Sequence, residues 1–227
     1  MSDVQPAEDE QQPEWRQRAV TRGIEAARSR AQVRVQRFLD AAFELIDEKG
    51  TTDFTIQEVT TRSGQSLRGF YQYFDGKDEL LLALFEESVN ESLADLRTVI
   101  ADVTGPLARL RAFVLRLHEW CDPDVGPAAT GPRNRKPISE FTVQLAGNHA
   151  DKVQEAVAPI TDELITLLDA AVAAEAIRVA DVRRSAALVM RAVMYSWFGN
   201  RFTPAGTERI SADETWEFCL HGLRADG

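Results

Sequence analysis

The sequence predicts an all-α fold, and three features carry that prediction. Apolar residues recur three and four apart through most of the chain, which is the spacing of one helix face. The breaks between those stretches are helix terminators: Gly50, Ser63-Gly64, Asp75-Gly76 and Gly105-Pro106. No stretch has the pattern of a strand, and no segment repeats. About nine helices are expected, three forming a head and the rest a larger helical domain.

Residues 1 to about 13 are Pro, Gln, Asp and Glu with almost nothing to bury, and are expected to be disordered. Residues 14–30 are rich in arginine and read as either a fraying helix or a flexible arm. A solvated tail and an arm reaching a DNA minor groove fit them equally. A first helix is expected from Ala31 to Lys49, with Val35, Phe38, Leu39, Ala42, Phe43 and Ile46 inward. A second runs from about Thr55 to Arg62, Ile56 and Val59 sharing a face. Thr55 with Glu58 three residues on makes a capping box. Gly64 supplies the positive φ that ends it. Ser66 then caps a third helix to Tyr73, whose buried side is Phe70 and Phe74. Leu67, Arg68, Tyr71, Gln72 and Tyr73 are left for its surface. Two short helices set against each other by a glycine turn have the form of a helix-turn-helix.

A long helix follows from Lys77 to Val103, with Leu81, Leu84, Phe85, Ser88, Ser92, Leu96, Val99 and Val103 near one stripe. The next reaches Trp120 with Leu107, Leu110, Val114 and Leu117 inward. Residues 122–136 form a Pro- and Gly-rich loop whose end is basic (Arg133, Arg135, Lys136). Further helices are expected at 138–146, at 151–176 with a kink at Pro159, at 182–200 after an Asp181 cap, and at 212–224. In the 151–176 helix, Val157, Ile160, Leu164, Leu167 and Leu168 point inward.

No apolar run approaches a membrane span, and the polar, acidic N-terminus does not read as a signal peptide. Two cysteines, Cys121 and Cys219, make no disulfide framework, so a reduced cytoplasmic setting is expected. Net charge is −10, against the usual sign for a nucleic-acid binder. The charge is uneven, however: residues 14–37 hold seven arginines against Glu14 and Glu25, a local +5 just before the helix-turn-helix. His118 and Cys121 lie three apart, but two ligands without a second cluster do not make a zinc site. His149 and His221 have no nucleophile pattern nearby, and neither a phosphate-binding glycine loop nor a nucleophile elbow occurs. The expectation is therefore no enzyme, no metal and no cofactor.

The run from Gly64 to Phe74, followed by Lys77-Asp-Glu-Leu-Leu81, resembles the DNA-binding segment of the tetracycline-repressor (TetR) family, over roughly residues 33–85. Gln65 and Gly69 depart from that family's pattern, Gly69 inside the recognition helix. The resemblance implies an N-terminal arm (1–30), a DNA-binding head (31–76) and a ligand-binding and dimerisation domain (77–227). It implies a ligand-responsive regulator, expected to be a repressor, with three partners: a double-stranded DNA operator, a small-molecule inducer and a second copy of the chain. Carried onto this chain, DNA contacts fall at Arg30, Thr55, Ser66, Leu67, Arg68, Tyr71, Gln72, Tyr73 and Lys77. Arg68 and Gln72 suit base edges, and Tyr71 and Lys77 suit phosphates. An inducer pocket is implied among Phe113, Leu117, His118, Trp120, Phe141, Gln144, Met190 and Met194, with Tyr195 and Asn148 as further polar groups. A largely apolar ligand would fit it. The family's dimer uses its last two long helices, which makes Val189, Val193, Trp197, Trp216 and Leu220 interface candidates. Half-sites would lie about one helical turn, roughly 34 Å, or a multiple of it apart. Two other readings remain open here: a DNA-binding dimer without ligand control, and a helical-bundle enzyme using the helix-turn-helix for protein contact.

Overall fold

The computed structural model describes residues 14–121, 145–201 and 209–224. Its elements are α1 (Glu14–Lys49), α2 (Ile56–Ser63), α3 (Leu67–Phe70), α4 (Lys77–Ala101), α5 (Pro106–Cys121), α6 (Ala150–Ala173), α7 (Val182–Arg201) and α8 (Ala212–Arg224). The described residues contain no strand. The expected loop at 122–136, the expected helix over 138–144, and Phe141 and Gln144 fall outside the described residues; 145–148 is helical. The side chain of Trp197 is likewise outside them.

The first helix begins seventeen residues earlier than its apolar pattern suggests. Residues 14–30 are not a flexible arm but the outer half of α1. Arg and Ala are strong helix formers, and the stretch has no proline and only Gly23 to interrupt it. The inner half of α1 buries Phe38, Leu39, Ala42, Phe43 and Ile46. Phe38 meets Phe70 edge-on at 5.4 Å and Phe74 at 6.2 Å, so three rings close the head's core.

Local chemistry fixes the next two helices. Thr55 Oγ1 accepts from the Glu58 N–H, and the Glu58 carboxylate accepts from the Thr55 N–H, completing the capping box. Gly64 stands at φ 65° with ψ 27°, and the Gln65 N–H reaches back to the Thr60 carbonyl, which stops α2. Ser66 Oγ accepts from the Gly69 N–H at 3.0 Å. A Cβ at Gly69 would sit 3.2 Å from that same oxygen, so the glycine leaves room for the cap. α3 is shorter than expected. Beyond Phe70 the Gln72 and Tyr73 N–H groups bond three residues back rather than four, and the last turn tightens.

α4 joins the head to the rest. Leu80, Leu81 and Leu82 are consecutive and all buried, so its start is enclosed on several sides. Farther on it buries Val89, Leu93 and Ile100, where the sequence stripe pointed to Ser88, Val99 and Val103, which are only half-buried. Both α5 and α6 pack on it, and a face shared by two neighbours is wider than one stripe. α5 lies centrally, against α4, α6, α7 and α8. Its Leu107, and Val157 of α6, are half-buried rather than inward. α6 runs through Pro159 and ends at Ala173, before the expected Ala176. Glu175 takes φ 56°, with Ala176 N–H bonded to Ala171 O and Glu175 N–H to Val172 O, a complete C-terminal cap without glycine. Asp181 caps α7 as expected, accepting from the Arg184 N–H at 3.0 Å.

The face of α7 and α8 that packs inward carries most of the expected interface set. Val189, Val193, Trp216 and Leu220 are all buried in the chain's own core, Val193 completely. Their opposite faces carry Leu188, Tyr195 and Phe218, which are 59, 67 and 76% exposed.

Candidate nucleic-acid interface

The head presents one exposed edge made by α3 and the turns around it. Phe70 faces the core with 0% exposure, which turns the neighbouring positions outward. Leu67 is 49% and Tyr71 53% exposed, and Arg68 and Gln72 are exposed beside them. Tyr71 is held by edge-on contact with Phe70, ring centroids 5.5 Å apart, so its hydroxyl stands clear on a fixed base. This edge offers a guanidinium, an amide, a phenol and an aliphatic side chain. Those groups suit base edges, phosphates and thymine methyls.

The remaining expected contacts divide by what they already do. Thr55's hydroxyl accepts from the Glu58 N–H and donates to the Glu58 carboxylate, so it builds α2 and has no proton left for a phosphate. Ser66's oxygen caps α3. Tyr73 is half-buried against the core. The Lys77 ammonium lies 4.8 Å above the Phe54 ring at the start of α4, half-exposed beside α3's outer turn. Arg30 is exposed on the outer half of α1. Gln65, one of the two family departures, donates to the Arg34 carbonyl at 2.8 Å and ties the α2–α3 turn to α1.

Charge pairs stiffen this platform. Arg62 at the end of α2 forms two 2.7 Å bonds to the Glu48 carboxylate and reaches Glu44 at 3.4 Å, clamping α2 to α1. The Glu48 carboxylate raises the Arg62 pKa, and Arg62 in turn lowers that of Glu48. Lys49 bonds Glu58 at 2.8 Å. That bond, with the Thr55 N–H and hydroxyl, holds the Glu58 carboxyl down at about 2.

Behind the head, the expected pocket residues mostly lie in the core between α5 and α7. Phe113, Leu117, His118 and Met190 are buried and Met194 half-buried. Trp120 is tied toward α4 instead, its indole N–H donating to Asp95 at 2.7 Å. Asp95 also takes a two-point bond from Arg116, whose pKa is raised by Asp95 first and Glu119 second. Tyr195 and Asn148 are exposed, outside any such pocket.

Sequence reasoning missed a polar chain beside His118. His118 Nε2 is 3.3 Å from Ser196 Oγ, which is 3.2 Å from Thr215 Oγ1, which donates to the Ser211 carbonyl. Thr215 spends its only proton on that carbonyl, so Ser196 donates to Thr215 and His118 donates from Nε2. The signal in the sequence was Thr215 beside Trp216 on the inward side of α8, a polar residue in need of a partner.

Residues 38–84 match the family model described as bacterial regulatory proteins, tetR family. The HTH-type transcriptional regulator BetI of Brucella suis biovar 1 is 30% identical over 82 residues, 36% of this chain and 41% of its own length. The HTH-type transcriptional repressor NicS of Pseudomonas putida is 32% identical over 79 residues, 34% of this chain and 37% of its own. The chain thus spans about two fifths of the length of the curated relatives it matches. Among solved structures, the fatty acid degradation regulator FadR from Bacillus halodurans shares the fold at TM-score 0.63 and 16% identity, covering 83% of this chain and 94% of that one. RolR in complex with resorcinol does so at TM-score 0.64 and 15% identity, covering 87% and 91%.

Proposed function

We infer, for a chain that belongs to the tetR family of DNA-binding bacterial regulatory proteins, a homodimeric repressor released from a pseudo-palindromic operator by a largely apolar small molecule. The observation that carries the DNA reading is the outward quartet Leu67, Arg68, Tyr71 and Gln72, set on a buried Phe70. Arg68 and Gln72 read base edges, while Tyr71 and Lys77 hold phosphates. Residues from 77 onward form the ligand-binding and dimerisation domain. Exposed Leu188, Tyr195 and Phe218 on α7 and α8 supply the self-complementary face that a two-fold dimer needs.

The ligand would lie where α5 meets α7, near Phe113, Leu117, Met190 and Met194, with His118 as its polar contact. RolR, a fold neighbour, was solved with the small aromatic resorcinol. Release is a population shift: the ligand favours the conformer in which the two recognition helices no longer match the groove spacing. α4 is the connecting element, because it carries head core residues at one end and is bonded to α5 and α6 at the other, Asp95 to Arg116 and Arg97 to Glu163. The reading is tested by pulling down genomic DNA fragments with the purified protein. Discrete sites sharing a two-fold sequence support it, and uniform recovery of all fragments refutes it.

A further inference from the structure

The outer half of α1 is the part of the molecule that this reading does not use. Trp15 to Arg30 extends about 24 Å at 1.5 Å per residue, and every side chain described along it is exposed. Its arginines differ from those of the body in being gathered together. Arg62, Arg97, Arg111 and Arg116 each hold a carboxylate; among the described residues the arginines from 16 to 37 make no ion pair, and neither do Arg109, Arg178, Arg183, Arg184, Arg191 and Arg224, but those six are scattered over several elements rather than concentrated on one helix. A local +5 on a chain of net −10 leaves −15 on everything else, so this charge is concentrated and not neutralised.

The arginines also have a direction. At 100° per residue, Arg16, Arg22, Arg30, Arg34 and Arg37 fall within an arc of about 120°. Arg30, Arg37 and Glu44 are seven apart, on one stripe. Glu44 and Glu48 on that side of α1 grip the end of α2, and the Arg34 carbonyl receives Gln65 from the turn into α3. The basic stripe therefore leaves the head on the side where the recognition helix begins.

We propose that the outer half of α1 is a second DNA-binding element, a rigid arginine rail that lies along the phosphates flanking each half-site and lengthens the footprint outward. A continuous helix does not thread the minor groove as a flexible arm does; it follows the backbone and carries no sequence information. At 3.4 Å per base pair, 24 Å covers about seven base pairs on the outer side of each half-site. Of the segment's exposed large apolar residues, Val20 and Ile24 lie off the arginine arc and Trp15 lies within it, too few for the broad apolar face of a membrane-surface helix.

The proposal rests on the DNA-binding reading, and the test separates the two. Arg16 and Arg22, the two outermost arginines of the stripe, are changed together to Gln, a comparable helix former, in the full chain, and helix content is checked by circular dichroism. Binding is measured against salt on a selected operator with long flanks, on the same operator trimmed to its half-sites, and on a random-sequence duplex. The rail predicts a salt slope shallower by about 1.8 for each protomer bound, or an affinity loss about 12-fold smaller per protomer between 50 and 200 mM salt. It also predicts a hydroxyl-radical footprint that loses its outer edges, and no difference on the trimmed duplex. Equal slopes and footprints for variant and parent overturn the proposal. So does loss of binding confined to phosphatidylserine vesicles, which would make the segment a membrane contact. A parent protein that selects no sequence refutes the repressor reading instead, while the slope on random duplex still decides the rail.

Discussion

Replacing Phe218 with serine should split the proposed dimer while leaving the protomer folded. Phe218 is 76% exposed on α8, so its removal takes little from the chain's own core. Fully burying a side chain of this kind is worth roughly 1.5–3 kcal/mol. About three quarters of the midpoint is ~1.7 kcal/mol, and a two-fold axis uses the residue twice, giving ~3.4 kcal/mol. That is about a 300-fold rise in the dimer Kd. Val193→Ala is the control, because Val193 is completely buried within one chain. It should cost roughly 2 kcal/mol of protomer stability and leave the Kd of the folded protein within about threefold. Sedimentation equilibrium over a range of concentrations, with folding checked by circular dichroism, reads both numbers. A dimer that survives Phe218→Ser and Leu188→Ser, or a folded Val193→Ala monomer, would show that the inward face assigned here is the real interface.

Other outcomes follow from the head and the domain behind it. Phe38→Ala removes a fully buried ring from the Phe70–Phe74 cluster and should cost about 3–5 kcal/mol, read by denaturant melts of the head. Thr55→Ala should cost about 1 kcal/mol through the lost α2 cap, and weaken every operator alike. Glu58 has a folded pKa near 2, below its usual 4.5. The stability it contributes is therefore full above pH 4.5 and is lost as pH falls toward 2. Glu58→Gln should flatten an acid-unfolding curve in that window. Met194→Trp should crowd the proposed ligand site where α5 meets α7 and abolish release by inducer with operator binding intact, as gel shifts would show. A broken dimer would place that face between subunits.

The helix-turn-helix was legible because its determinants are local. Thr55, Glu58, Gly64 and Ser66 each act within a few residues, and the structure uses each as its spacing implied. Phe70 and Phe74 were legible because a short helix has one inner face. Three things were not. The start of α1 lay upstream of its apolar pattern, since an exposed helix of Arg and Ala needs no buried stripe to form. Which side of α7 packs inward was not legible because the helix is apolar on two sides: Leu188 and Val189 are adjacent, and only packing decides which one is buried. A helix apolar on both sides signals a second partner, and that signal was present in the sequence. The Ser196–Thr215 chain depends on contacts between α5, α7 and α8 that no local spacing encodes.

The central claim is that the exposed side of α3 reads base sequence. In vitro selection from random duplexes, run with the parent protein, Arg68→Ala and Gln72→Ala, tests it most directly. The parent should enrich a two-fold sequence. Each variant should lose preference at its own base pairs, by about 1–3 kcal/mol for a two-point contact, and keep the rest of the consensus. An unchanged consensus with uniformly weaker binding would contradict the claim and leave Arg68 and Gln72 on phosphates alone.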